Sequence, residues 1–164
     1  MKTIKAIVIF LALTSAGCAH VISQEALEDV NTDVSFETVL ENPDASIGET
    51  LLLGGDIIQT QPFPKKTLIM VLQRPLGYSN KPSAEKSSKG RFILEAPEFL
   101  DPAIYKAGRQ VTVAGTLVGK EVRPLGKMTY TYPFIRSKEI YLWPVERPWN
   151  RPRFYFGFGL SHGF

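Results

Sequence analysis

Residues 51–60 (LLLGGDIIQT) set the tightest limit on what this chain can fold into. The Leu and Ile content reads as a strand, yet Gly54 and Gly55 stand together in its middle. Paired glycines inside a strand mark a bulge, a sharp bend or the close approach of another backbone. Residues 110–119 carry a similar device. Val111, Val113, Gly115 and Leu117 alternate onto one face, with a glycine at the centre. Two strands that bend in mid-course point to a small, strongly coiled barrel.

The other elements fit around these two. Residues 67–72 (TLIMVL) form an unbroken apolar run and are expected as a strand buried on both faces. Residues 90–96 are a third strand and residues 139–143 a last one, stopped by Pro144. Residues 127–132 read as a further strand or an extended loop, interrupted by Pro133. Turns are expected at residues 61–64 and 124–126. Residues 100–106 predict a short helix, with Asp101 as N-cap, Pro102 at the first helical position and Gly108 as the stop. A second short helix is expected over residues 35–41, capped by Asp33 or Ser35. Its Phe36, Val39 and Leu40 share a face, and Asn42-Pro43 ends it. The chain is therefore mostly β. Its order suits an OB-fold-like five-stranded barrel with one short helix between strands 3 and 4, plus the short N-terminal helix. A different small barrel or a half-open sandwich has similar spacing. Residues 74–89 exceed the usual loop length, which marks them as functional or mobile.

The first eighteen residues read as an address. Lys2 and Lys5 precede an apolar run over residues 6–13, followed by Thr14 and by Ser15-Ala16-Gly17-Cys18. This is the order of a secretory signal peptide, and the apolar run is too short to cross a bilayer. The single cysteine of the chain stands at its end. Ser15-Ala16-Gly17-Cys18 resembles the bacterial lipobox, with Ser15 where Leu is usual. That resemblance implies cleavage between Gly17 and Cys18 and triacylation of Cys18, palmitate included. Ala19 rather than Asp follows, which by the same resemblance implies the outer membrane, facing the periplasm. The expected organisation is a signal peptide over residues 1–17, an acidic tether over 18–34, a barrel domain over 35–147 and an Arg/aromatic tail over 148–164.

A wider set of residues carries a family resemblance. It comprises Ser35-Phe36, Asn42-Pro43, Gly48, Gly54-Gly55, Pro75-Leu76, Lys81-Pro82, Gly90-Arg91, Phe99-Leu100-Asp101-Pro102 with Tyr105, residues 111–116 (VTVAGT) and Leu142-Trp143. In this order and spacing the chain resembles the Slp family of outer-membrane lipoproteins of Gram-negative bacteria. The resemblance implies a lipid-anchored protein associated with starvation, stationary phase or stress. It supplies no enzymatic activity or ligand.

Candidate chemistry is sparse. One cysteine excludes an internal disulfide and a Cys-rich zinc site, and His20 and His162 lie near opposite ends. No catalytic constellation, metal site or cofactor site is expected, and the chain reads as a non-enzyme. The Gly54-Gly55 pair lies mid-strand and lacks the strand–loop–helix setting of a phosphate loop. Asp101 is explained as a helix cap. Arg91 and Arg109 can each hold a carboxylate or phosphate, or serve as solvated or structural cations. The C-terminal stretch interleaves Trp149, Arg151, Arg153, Phe154, Tyr155 and Phe156. It suits contact with a membrane or partner, packing on the barrel, or a disordered tail. Nucleic acid is excluded as a partner by the export signal.

Two functions from different classes remain. One is a non-enzymatic lipoprotein of the outer membrane that supports envelope integrity or stress tolerance through envelope protein, glycan or anionic lipid. The other is an OB-like periplasmic module that binds an oligosaccharide or anionic small ligand on the wall of strands 2 and 3, beside the long loop. Charge sharpens the first. Without Lys2 and Lys5 the chain has 17 basic and 16 acidic residues. Residues 18–64 hold nine acids and no Lys or Arg, whereas residues 65–164 hold 17 basic and seven acidic groups. A chain so divided either offers its basic part to an anionic surface or folds it back on the acidic part.

Overall fold

The computed structural model describes residues 21–83 and 87–145. Five strands run in chain order: β1 (Thr50–Phe63), β2 (Lys66–Gln73), β3 (Arg91–Ala96), β4 (Gln110–Leu125) and β5 (Met128–Leu142). They close into a barrel in the order β1-β2-β3-β5-β4. Neighbours are antiparallel except β3 and β5, whose short parallel pairing sets Ile93–Glu95 against Phe134–Arg136. This is the OB-type closure expected from the strand order.

The paired glycines explain how β1 serves two partners. Its first half pairs with β4 and its second with β2, and Gly55 stands opposite both Val111 and Gln73. A Cβ on Gly55 would lie 2.1 Å from the Leu72 carbonyl oxygen, so only glycine allows the two backbones this close. The same holds at Gly115, where a Cβ would lie 2.7 Å from the Arg136 carbonyl oxygen beside a bulge. Inside the ring, Leu51, Leu53, Ile57, Ile69, Val71, Phe92, Leu94, Val111, Val113, Leu117 and Ile135 form one core.

Helix α2 (Phe36–Glu41) follows its reading closely. Ser35 caps it by accepting from the Thr38 amide, and Phe36 and Val39 are buried, with Leu40 packed against the core. The Phe36 ring meets Phe92 edge-on at 5.9 Å.

Four expectations change. Residues 101–106 make a single turn instead of a helix between strands 3 and 4. The Asp101 carbonyl accepts from Ile104 and Tyr105, and its carboxylate accepts from Ala103 at 2.8 Å. Further winding is stopped because Gly108 and Arg109 exchange backbone hydrogen bonds with Ile57 of β1. Strand β2 is not buried on both faces. Thr67, Ile69, Val71 and Gln73 point inward, while Leu68, Met70 and Leu72 are half-buried outside. Pro133 does not interrupt β5, which is continuous from Met128. The proline stands one residue before the pairing with β3 begins, where one edge of β5 lacks a partner and tolerates a missing N–H. Likewise Pro62 lies within β1, which runs on to Phe63 before turning.

The fourth change concerns the acidic tether, which is part of the fold from Val21 onward. Ser23 caps helix α1 (Gln24–Glu28). Ile22 and Ala26 are buried against Ala114 on the outer wall of β4, joined by Val21, Leu27, Leu52 and Tyr141. Val30 bridges to Thr50. Five helical residues with two buried positions are too few to show a periodic pattern in sequence. Charge guides the wrap. Asp29 pairs with Lys138 at 2.7 Å, Glu37 with Lys89 at 3.2 Å, Asp44 with Lys120, and Asp56 with Arg74 at 2.8 Å. The acidic part of the sequence thus lies against the basic part.

Candidate functional site

The expected cations lie apart. Arg91 opens β3, and its amide donates to the Tyr130 hydroxyl at 2.9 Å. Arg109 follows the turn before β4. Its guanidinium donates to the carbonyls of Trp143 at 2.8 Å and Ile104 at 3.2 Å, while its Nε is buried without a hydrogen-bond partner. Arg109 is therefore a structural clamp between the 101–108 turn and the end of β5. Gly17, Cys18, Trp149, Arg151, Arg153, Phe154, Tyr155 and Phe156 lie outside the described residues.

On the wall of β2 and β3, where OB-folds hold ligands, Leu68, Met70 and Leu72 are half-buried. Gln59, Gln61, Leu68, Met70, Ile93 and Arg123 surround a space of only about 10 Å³, about one water. Arg123 reaches this wall from the β4–β5 hairpin, which extends past the ring to Leu125 and Met128. The Glu121 carboxylate holds its guanidinium at 2.7 and 2.9 Å. That bond raises the Arg123 pKa further above its ordinary value. Nearby, Glu95 accepts from Lys66 at 2.8 Å and Arg136 at 2.9 Å. The hydrogen bond from Lys66, then that from Arg136, holds its carboxyl below the usual range against the opposing effect of burial. Such a triad ties β2, β3 and β5 together and keeps the Glu95 carboxylate paired.

Two larger hollows lie elsewhere, one of them about 410 Å³ and lined by residues 106–110 and 143–145. A groove of about 360 Å³ separates the N-terminal segment from the barrel. Val30, Val34 and Phe36 form one side, Leu51–Gly54 the floor, and Gln73, Arg74, Leu76 and Lys89 the other side. Its basic rim is already occupied. Arg74 is bound by Asp56, Lys89 by Glu37, and the Gln73 side chain accepts from the Lys89 amide. The groove offers an apolar floor with polar edges and no nucleophile beside a base. Sequence reading passed over Val30, Val34 and Gln73, because the groove exists only once residues 30–37 fold back on β1. Among the described residues, no His, Cys, Asp and Glu side chains group as a metal site. No helix among them is long and apolar enough to cross a membrane.

Comparison with known proteins adds to this geometry. The family model described as "Outer membrane lipoprotein Slp family" matches residues 15–159. Outer membrane protein Slp of Escherichia coli is 26% identical over 147 residues, covering 88% of this chain and 77% of that protein. The uncharacterized lipoprotein YeaY of Escherichia coli is 24% identical over 164 residues, covering 93% and 82%. An uncharacterized protein of Haemophilus influenzae is 34% identical over 105 residues, which is 63% of this chain. The match spans 57% of that relative's length. Among solved structures, a putative aspartyl-tRNA synthetase from Leishmania major aligns with 12% identity and a TM-score of 0.40. It covers 69% of this chain and 22% of that one, a likeness too distant to bear on function.

Proposed function

Because the chain belongs to the Slp family of outer-membrane lipoproteins, we propose that it is a non-enzymatic envelope protein held by acyl chains on Cys18 and facing the periplasm. The observation that carries this is the single cysteine at the end of a charged, apolar, small-residue leader. Each buried CH₂ of an acyl chain contributes about 0.8 kcal/mol, so two or more chains hold a protein stably on a bilayer. The barrel then acts as a compact body at the membrane surface, and its role is envelope integrity under starvation or stress. Cell fractionation tests the anchor. A Cys18→Ala variant is expected in the soluble periplasm, with the wild type in the outer-membrane fraction. A variant that stays in the membrane even after residues 149–164 are deleted overturns the proposal.

Besides a hollow of about 410 Å³ lined by Lys106, Arg109 and Trp143, the ligand-binding alternative rests on the 360 Å³ groove. Its apolar floor suits an apolar segment better than an oligosaccharide, which calls for aromatic platforms and exposed polar groups.

A further inference from the structure

The described chain begins and ends on the same side of the barrel. Val21 and Tyr141 both pack against the cluster of Ile22, Ala26 and Ala114 on the outer wall of the barrel. Tyr141 and Trp143 point outward two residues apart, their rings edge-on at 5.0 Å. Trp143 donates its indole N–H to Thr112 Oγ1 at 2.9 Å, which fixes the ring on the wall. The Lys81 ammonium lies 5.5 Å from that ring. Val145, the last described residue, is 61% exposed and lines a hollow with Trp143 and Lys106.

Chain length then limits the geometry. Val21 stands three residues after Cys18, and three residues span at most about 11 Å. The wrap that positions Val21 is pinned: Ile22 is fully buried, Ser23 donates to Glu139 from its amide and its hydroxyl, and Lys138 holds Asp29. A lipid on Cys18 leaves no slack for a freely swinging domain.

From these observations, and resting on the Cys18 anchor proposed above, we infer that the outer wall of β4 and β5 around Tyr141 and Trp143 lies against the headgroup layer of a phospholipid bilayer. Trp and Tyr favour this level because an apolar ring and a polar tip are both satisfied there. Lys106, exposed beside Trp143, supplies a partner for lipid phosphate. Glu25 and Glu28 stay exposed on α1 beside this wall, so the surface is mixed in charge. It fits zwitterionic headgroups and does not depend on anionic lipid.

Fluorescence quenching tests the orientation. The lipidated full chain carrying Trp149→Phe, in which Trp143 is the one remaining tryptophan, is placed on phosphatidylcholine vesicles containing lipid with a quencher just below the headgroup. Flotation reads anchoring separately. Two reference proteins carry Trp143→Phe and Trp149→Phe with a new reporter, Gln61→Trp on the far half of β1 or Lys65→Trp at the β1–β2 turn. Both sites are exposed, so the barrel tolerates either change. Trp143 is expected to be quenched several-fold more than either reference, with little change when anionic lipid is added. Equal or weaker quenching of Trp143 in protein that floats overturns the docking wall and leaves the anchor standing. Failure of the lipidated wild type to float overturns the anchor, and the inference with it.

Discussion

The barrel and the segment wrapped around it are built on different physical terms. The barrel closes its strand edges on one another and buries a single core of large side chains, among them Phe92, Leu94 and Ile135. The wrap over residues 21–49 has a small second cluster of Ile22, Ala26 and Ala114, joins the sheet at the Val30–Thr50 bridge and where Gly48 and Glu49 meet Leu117, and leans on ion pairs near the surface. Closed ladders with a shared core unfold together, whereas segments with few buried contacts open locally at lower free energy. The wrap is thus the part that loosens first, although Phe36 and Val39 tie its middle into the main core.

Substitutions break this comparison at three scales. Phe92→Ala removes a fully buried ring from the barrel and is expected to cost about 3–5 kcal/mol. Denaturant unfolding should show one lowered midpoint for the whole domain. Two separate transitions would instead mean that the barrel is not the cooperative unit. Ile22→Ala empties the smaller cluster, and about 2 kcal/mol is expected. The effect should be confined to the wrap. Hydrogen exchange should quicken at residues 21–30 while the amides of β3 and β4 keep their protection, and equal loss in both places would dissolve the distinction.

The smallest effects separate the two kinds of ion pair. Glu95 keeps 11% of its side chain exposed, whereas Asp29 keeps 65%. The folded-state pKa of Glu95 is held below its ordinary value, chiefly by the hydrogen bond from Lys66. Its stabilisation is therefore full at neutral pH, above the unfolded value, and is lost as pH falls through the lowered folded one. Its partners are largely exposed, so Glu95→Gln should cost about 1 kcal/mol at neutral pH and flatten the fall in stability below the usual carboxylate range. Asp29→Asn should change thermal stability by less than about 0.5 kcal/mol at neutral pH. A pH profile of Glu95→Gln identical to the wild type would remove Glu95 from the acid response.

The same contrast explains which parts were legible in the residues. Strand identity and order, the bending glycines and the Ser35 cap follow from local pattern, because pleat alternation, a missing Cβ and a capping hydroxyl act within a few residues. The wrap escaped detection. Its helix is short, its anchoring residues are Ile22 and Ala26 in an otherwise acidic stretch, and its partners Ala114 and Tyr141 lie more than eighty residues away on β4 and β5. The turn at residues 101–106 carried every local helix signal, yet the exchange of hydrogen bonds between Ile57 and residues 108–109 overrode them.

By itself the sequence determined that this is a mostly β chain that must bend at Gly54-Gly55 and Gly115, that its one cysteine follows a charged, apolar and then small-residue opening, and that its charge is split between an acidic beginning and a basic remainder. Each of these is a matter of covalent type and near neighbours. Only the tertiary structure decided that the split charges meet within the molecule, that Arg109 is spent on carbonyls, and that Val21, Tyr141 and Trp143 share one side. Those outcomes depend on which distant strands become adjacent when the ring closes, and burial, pairing and reach are all measured across that closure.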